Sequence, residues 1–191
     1  ELDLAAYSGR VTLCDVNAGQ WSVAGSDACT CARGFYMADG TCQTCAPGSF
    51  KDMPGGGPCT SCGDNTISLY AANSVDECMC SAGHFRDAST ACVQCLQNTY
   101  KPYAGDSACR ACPSNSEQEV GVLPRDSVDT CLCMPGFELV NNVCVQCEAG
   151  KYKNSLSMDA CTSCPPSSTS PVGSVDASAC ECVAGHLQVS P

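Results

Sequence analysis

The stretch "CTCARGFYMADGTCQTC", Cys29 to Cys45, holds four cysteines in seventeen residues, two of them separated by a single residue. Whether these sulfurs form a metal cage, a redox centre or a disulfide ladder decides the fold. The rest of the chain argues for the ladder. It has 21 cysteines in 191 residues, a density at which a disulfide scaffold is the default architecture. Leu, Ile, Val and Phe together supply only thirty side chains, with one Trp and six Tyr beside them. Hydrophobic burial on that scale does not offset the entropy of ordering the backbone, so covalent links have to substitute for a core.

Pairs of the Cys29/Cys31 kind recur at Cys78/Cys80, Cys131/Cys133 and Cys180/Cys182, with second members 49, 53 and 49 residues apart. Each interval repeats one order: ten or eleven residues, CxxC, thirteen residues, CxxC. The thirteen-residue gap does not vary, and the extra residues of the middle interval fall in the other gaps, as loops on a fixed framework do. This divides the chain into a half-repeat at 1–30, repeats at 31–79, 80–132 and 133–181, and the start of another at 182–191. Between the cysteines, glycine recurs three places after the second member of each pair ("CARGF", "CSAGH", "CMPGF", "CVAGH"). An aromatic–lysine pair recurs at Phe50-Lys51, Tyr100-Lys101 and Tyr152-Lys153. The glycine suits a tight turn with positive φ, and the rings of Phe50, Tyr100 and Tyr152 are expected to cover disulfides.

Segments between cysteines are short and rich in Gly, Pro, Ser, Asp and Asn, which predicts short β-hairpins, loops and almost no helix. Units joined through one residue, each meeting only its neighbours, predict an elongated rod. A compact chain of this length would have a radius of gyration near 16 Å, and the rod is expected to exceed it.

Other cysteine chemistries place their own demands on the residues. "CQTC" and "CTSC", thirteen residues apart, approach the spacing of a four-cysteine zinc site. Against zinc stand the two further cysteines per repeat, the scarcity of cations to ease a tetrathiolate, and the lack of a ligand-placed His. A thioredoxin-like centre needs a helix N-terminus in an α/β fold, and nothing supplies one. Asp76, Asp129 and Asp176 recur, but the acidic cluster of a calcium-binding EGF module is missing, and Asp is an ordinary turn residue. His84 and His186 stand where other repeats have Phe35 and Phe137, which makes them packing residues. No cofactor or catalytic constellation is expected.

The net charge of −11, from nine basic and twenty acidic residues, excludes nucleic acid and anionic membrane as natural partners. No apolar run reaches transmembrane length. Sulfurs in this number imply an extracellular or cell-surface setting. No Asn-x-Ser/Thr sequon occurs; the loop "CPPSSTSPVGS", Cys164 to Ser174, offers Ser167, Ser168, Thr169 and Ser170 as candidates for O-linked sugar.

The opening stretch resembles the junction modules of tumour-necrosis-factor-receptor ectodomains. The full period, with "GSFK", "NTYK" and "GKYK" after the first CxxC, resembles more closely the ephrin-receptor-like cysteine-rich repeats, relatives of EGF-like modules. Such repeats act as spacers in receptors, adhesins and surface filaments, including flagellar hairs (mastigonemes) of protists and algae. The resemblance implies bonds Cys31–Cys42, Cys80–Cys92 and Cys133–Cys144. The other four cysteines of each repeat pair either crossed, as 45–62 with 59–78, or with the nearest neighbour, as 45–59 with 62–78. The same choice holds for Cys95, Cys109, Cys112 and Cys131, and for Cys147, Cys161, Cys164 and Cys180. In the half-repeat Cys14 and Cys29 match Cys62 and Cys78 while the preceding pair is absent, which favours nearest neighbours without deciding the matter. Cys182 is left unpaired by truncation, since its partner is expected about two residues beyond Pro191.

The expectation from sequence is a non-enzymatic structural segment of a filament, coat or adhesin that contacts copies of itself or other surface proteins. The alternative is a receptor ectodomain binding a protein ligand, for which Trp21 and the longer loop 113–130 with Arg125 are the departures from the repeat.

Overall fold

The structure is a computed structural model that describes residues 14–15, 18–21 and 28–185. Its regular elements are ten two-stranded pairs and three short 3₁₀ turns, with no α-helix among the described residues. No helix of the described residues is long and apolar enough to cross a membrane. The chain forms two compact units, one of Glu1–Ser81, Arg86–Cys92 and Ala104–Asp106, the other of Ala82–Phe85, Val93–Tyr103 and Ser107–Pro191. The second sequence repeat thus contributes to both.

Each repeat builds the same pieces. In the first, Phe35–Ala38 pairs with Thr41–Thr44 across a tight turn, Ser49–Phe50 with Thr60–Ser61, and Thr66–Ile67 with Met79–Cys80. In the third the matching pairs are Phe137–Val140 with Val143–Gln146, Lys151–Tyr152 with Thr162–Ser163, and Ser168–Thr169 with Glu181–Cys182. The half-repeat already has the last of these, Gln20–Trp21 against Thr30–Cys31.

Ten disulfides staple these pairs. Cys31–Cys42, Cys80–Cys92 and Cys133–Cys144 are bonded. The remaining cysteines adopt the nearest-neighbour arrangement: Cys14–Cys29, Cys45–Cys59, Cys62–Cys78, Cys95–Cys109, Cys112–Cys131, Cys147–Cys161 and Cys164–Cys180. Cys182 is free and exposed. Sulfur is also the core: among the described residues the buried apolar side chains are cysteines and Ala72, and no Leu, Ile, Val or Phe joins them.

The recurring glycine has a steric reason. Gly34 and Gly136 have φ of +78° and +81°, and a Cβ on them would lie 2.2 Å from Ala71 O and 2.5 Å from Gly173 O. Close approach lets the backbone lace the repeat together. Gly34 N donates to Lys51 O, Cys45 N to Gly34 O, Lys51 N to Ala72 O and Ala71 N to Cys45 O. The third repeat makes the same four bonds through Gly136, Cys147, Lys153 and Gly173, with Lys153 O, Gly136 O, Ser174 O and Cys147 O as acceptors.

Candidate functional site

The recurring polar residues are used inward. Lys51, Lys101 and Lys153 are all buried, which a charged side chain tolerates only when its donors are satisfied. Lys51 Nζ donates to Phe35 O at 2.7 Å and to Gly55 O. Lys153 Nζ donates to Phe137 O at 2.9 Å and to Ser157 O, and Lys101 Nζ to His84 O at 2.6 Å. The Lys51 and Lys153 ammonium groups each tie the first hairpin of their repeat to the segment that follows. Desolvation pushes Lys51 and Lys153 below the ordinary lysine pKa, opposed at Lys153 by the carboxylates of Asp159 and Glu138. The sequence shows the signal in hindsight: three of four lysines stand at one repeat position in an acidic chain.

A second buried position recurs six residues after the second cysteine of the second CxxC. Ser68 Oγ donates to Ser49 O and Ser170 Oγ to Lys151 O, both at 2.9 Å. In the middle repeat Gln118 takes the place, and its Nε2 reaches Thr99 O at 3.2 Å and Thr130 Oγ1 at 2.7 Å. The proposal of sugar at Ser170 is therefore corrected: it is 3% exposed with its hydroxyl committed. Ser168 is half-buried and donates to Pro165 O, while Ser167 and Thr169 are exposed.

Arg125 is not the exposed anchor that its loop suggested. It is half-buried, and its Nη1 donates to Cys95 O and its Nη2 to Gln97 Oε1, each at 2.7 Å. The guanidinium replaces the backbone N–H that Ala71 and Gly173 supply to Cys45 O and Cys147 O in the other repeats. The longer loop is thus pinned by its own side chain. Phe50, Tyr100 and Tyr152 are half-buried within their two-residue strands. His84 is half-buried too, its Nδ1 3.1 Å from Ala82 O; His186 lies outside the described residues.

The Cys80, Cys92 and Asp106 ligand atoms lie within 4.8 Å of one another, but the two sulfurs are bonded to each other. Asp106 accepts from Cys80 N at 3.0 Å and pairs with Arg86 Nε at 2.8 Å, so the group serves the fold.

Two clefts face solvent with residues that a partner could grip. Trp21, 42% exposed, lines one of about 570 Å³ with Ala32, Arg33, Pro54 and Asn73. The other, of about 210 Å³, lies in the second unit between Val128, Asp129, Cys131, Leu139 and Met158. Neither partner of these clefts was evident in sequence: Arg33 is a non-recurring residue between cysteines, and Leu139 a strand residue like its neighbours.

Residues 83–120 and 138–180 match the family described as tyrosine-protein kinase ephrin type A/B receptor-like. The chain is 31% identical over 190 residues to cysteine repeat modular protein A of Toxoplasma gondii, covering 82% of this chain and 6% of that protein. It is 40% identical over 99 residues to ephrin type-B receptor 3 of Gallus gallus, covering 50% and 8%. With laminin subunit gamma-3 of Homo sapiens it shares 28% over 168 residues, covering 83% and 10%. The chain thus spans a tenth or less of the length of these relatives. Its matched stretches are similar to ephrin-receptor-like repeats, and the chain is a cysteine-rich repeat protein. With ten disulfides, which persist in oxidising surroundings, it is an extracellular one.

Proposed function

We propose that the chain is a non-enzymatic structural segment of an extracellular filament, coat or adhesin, working through contacts with copies of itself or other surface proteins. One observation carries this reading. The side chains that recur at buried positions serve the fold: cystines staple it, and Lys51, Lys101 and Lys153, with Ser68, Gln118 and Ser170, bond backbone carbonyls, while the exposed residues differ from repeat to repeat. Such a chain is a scaffold with a variable surface. The relatives named as a cysteine repeat modular protein and a laminin subunit support it. Sedimentation velocity from micromolar to millimolar chain tests it: concentration-dependent association is expected, and a strict monomer throughout would remove the self-assembling part.

A second reading, a receptor ectodomain segment, draws on the relatives named as ephrin receptors and on the cleft at Trp21. Trp and Arg are the usual anchors of protein interfaces, and here both line one cleft. Adhesion of the chain to cells or matrix that disappears in Trp21→Ala and Arg33→Ala, with all disulfides intact, would favour it.

A further inference from the structure

The repeats can be compared joint by joint, because the same positions meet each time. In the first unit the joint is closed by Arg86. Its Nη2 donates to Cys78 O at 2.8 Å and its Nη1 to Thr90 O at 2.8 Å, and its Nε meets Asp106 Oδ2 at 2.8 Å. The corresponding joint in the second unit has Cys131 in the place of Cys78, Leu139 in that of Arg86 and Met158 in that of Asp106. The ion pair is gone, and in its place lies the cleft of about 210 Å³. Its walls are mostly apolar, with Val128 40% and Leu139 36% exposed, and Ser116 and Asn142 also line it. Its one carboxylate is Asp129, itself exposed.

We infer that this cleft binds an arginine side chain of a partner protein, which fills the joint from outside as Arg86 fills its own from within. An arginine matches both halves of the site. Its aliphatic stem lies well on Leu139, Val128 and Met158. Its planar fork suits the Cys131 carbonyl, by analogy with Arg86 on Cys78, together with the Asp129 carboxylate. The acidic chain, −11 overall, draws basic segments toward it. The inference deepens the protein-contact reading above, giving it one contact point and one partner chemistry. If the cleft binds nothing, that reading still stands on its own sedimentation test.

The test is titration of the intact isotope-labelled chain with N-acetyl-arginine amide, followed by amide chemical shifts. The controls are the uncharged isostere N-acetyl-citrulline amide and the apolar N-acetyl-leucine amide. Saturable shifts confined to residues 128–131, 139–144 and 158 are expected with the arginine probe alone, weakening as salt is raised. Leu139→Arg with Met158→Asp rebuilds the Arg86–Asp106 arrangement and should abolish the shifts by closing the cleft. Asp129→Asn, on the exposed rim, should weaken binding about tenfold without disturbing the fold. The inference is overturned if citrulline or leucine amide shifts the same residues equally. It is also overturned if the arginine probe shifts other residues, or if Asp129→Asn binds as the parent does.

Discussion

At Gly34 a single hydrogen separates a packed joint from a collision. A methyl there meets Ala71 O at 2.2 Å on a backbone already at φ +78°, whereas Gly40, at +75°, has nothing within 4 Å. Gly40→Ala should therefore cost only the left-handed penalty of about 1–2 kcal/mol, and Gly34→Ala more, because the backbone must also part. Denaturant midpoints of the two variants, disulfides intact, compare them; equal losses would refute the steric account. Lys153 makes a related case through hydrogen bonding. Lys153→Met keeps the stem but strips the donors from Phe137 O and Ser157 O, a loss of about 1–3 kcal/mol for each group left buried. Faster hydrogen exchange at the amides of Gly136 and Ser157 is the expected sign, and unchanged exchange would mean the clamp is idle. Sequence reading found the glycine, whose recurrence has few other meanings. It missed the lysine's role, since a charge is by default a surface residue and only three-dimensional placement shows the carbonyls around it. Arg125 misled for the same reason: loop length predicted exposure, and the side chain turned inward.

Among elements, the three 3₁₀ turns show how one motif is capped in two ways. Ser74 Oγ accepts from Asp76 N ahead of Val75–Glu77, and Ser127 Oγ from Asp129 N ahead of Val128–Thr130, both at 3.1 Å. Before Ala177–Ala179 the cap is a carboxylate, Asp176, accepting from Ser178 N at 2.8 Å. The Ser178 backbone N–H, and next its hydroxyl, hold the Asp176 pKa below the ordinary aspartate value of 3.8. A depressed carboxylate pKa means that the stabilisation is complete above the ordinary value and lost as pH falls through the lowered one. On acidification the Ser178 amide should lose exchange protection below pH 3.8, ahead of the Asp76 and Asp129 amides, whose hydroxyl caps do not titrate. Simultaneous loss in all three turns would count against the distinction. The recurring Asp76, Asp129 and Asp176 announced these turns but not their caps: the third repeat carries two more residues between its Ser174 and its cysteine, which moves Asp176 into the place that serine holds elsewhere.

For the molecule as a whole, cystine takes the place of a hydrophobic core. A closed loop of fifteen residues contributes about 3 kcal/mol by restricting the unfolded chain, on a model whose entropic basis is debated. The bonds here close loops with sequence separations of 11 to 19, against a typical net domain stability of about 5–15 kcal/mol. Reduction should therefore unfold the chain entirely, read as collapse of amide dispersion and protection. A reduced chain that kept its protection would require an apolar core that the buried residues do not supply. This level was the most legible in sequence, because cysteine spacing is a property of the chain in one dimension. Connectivity was less so: crossed and neighbouring pairings use the same cysteines, and which sulfurs meet depends on how Ser49–Phe50 folds back on Thr60–Ser61.

The inward lysines also govern how the protein will behave in a chemist's hands. Of its four lysines, three have their amines enclosed, and only Lys151 reaches solvent, held at 2.9 Å by Glu148 Oε2. Among its lysines, an amine-reactive ester should acylate the folded chain at Lys151 alone, so lysine-linked dyes, biotin or resin would all sit on one known side chain. Peptide mapping should find the other three modified only after the cystines have been opened.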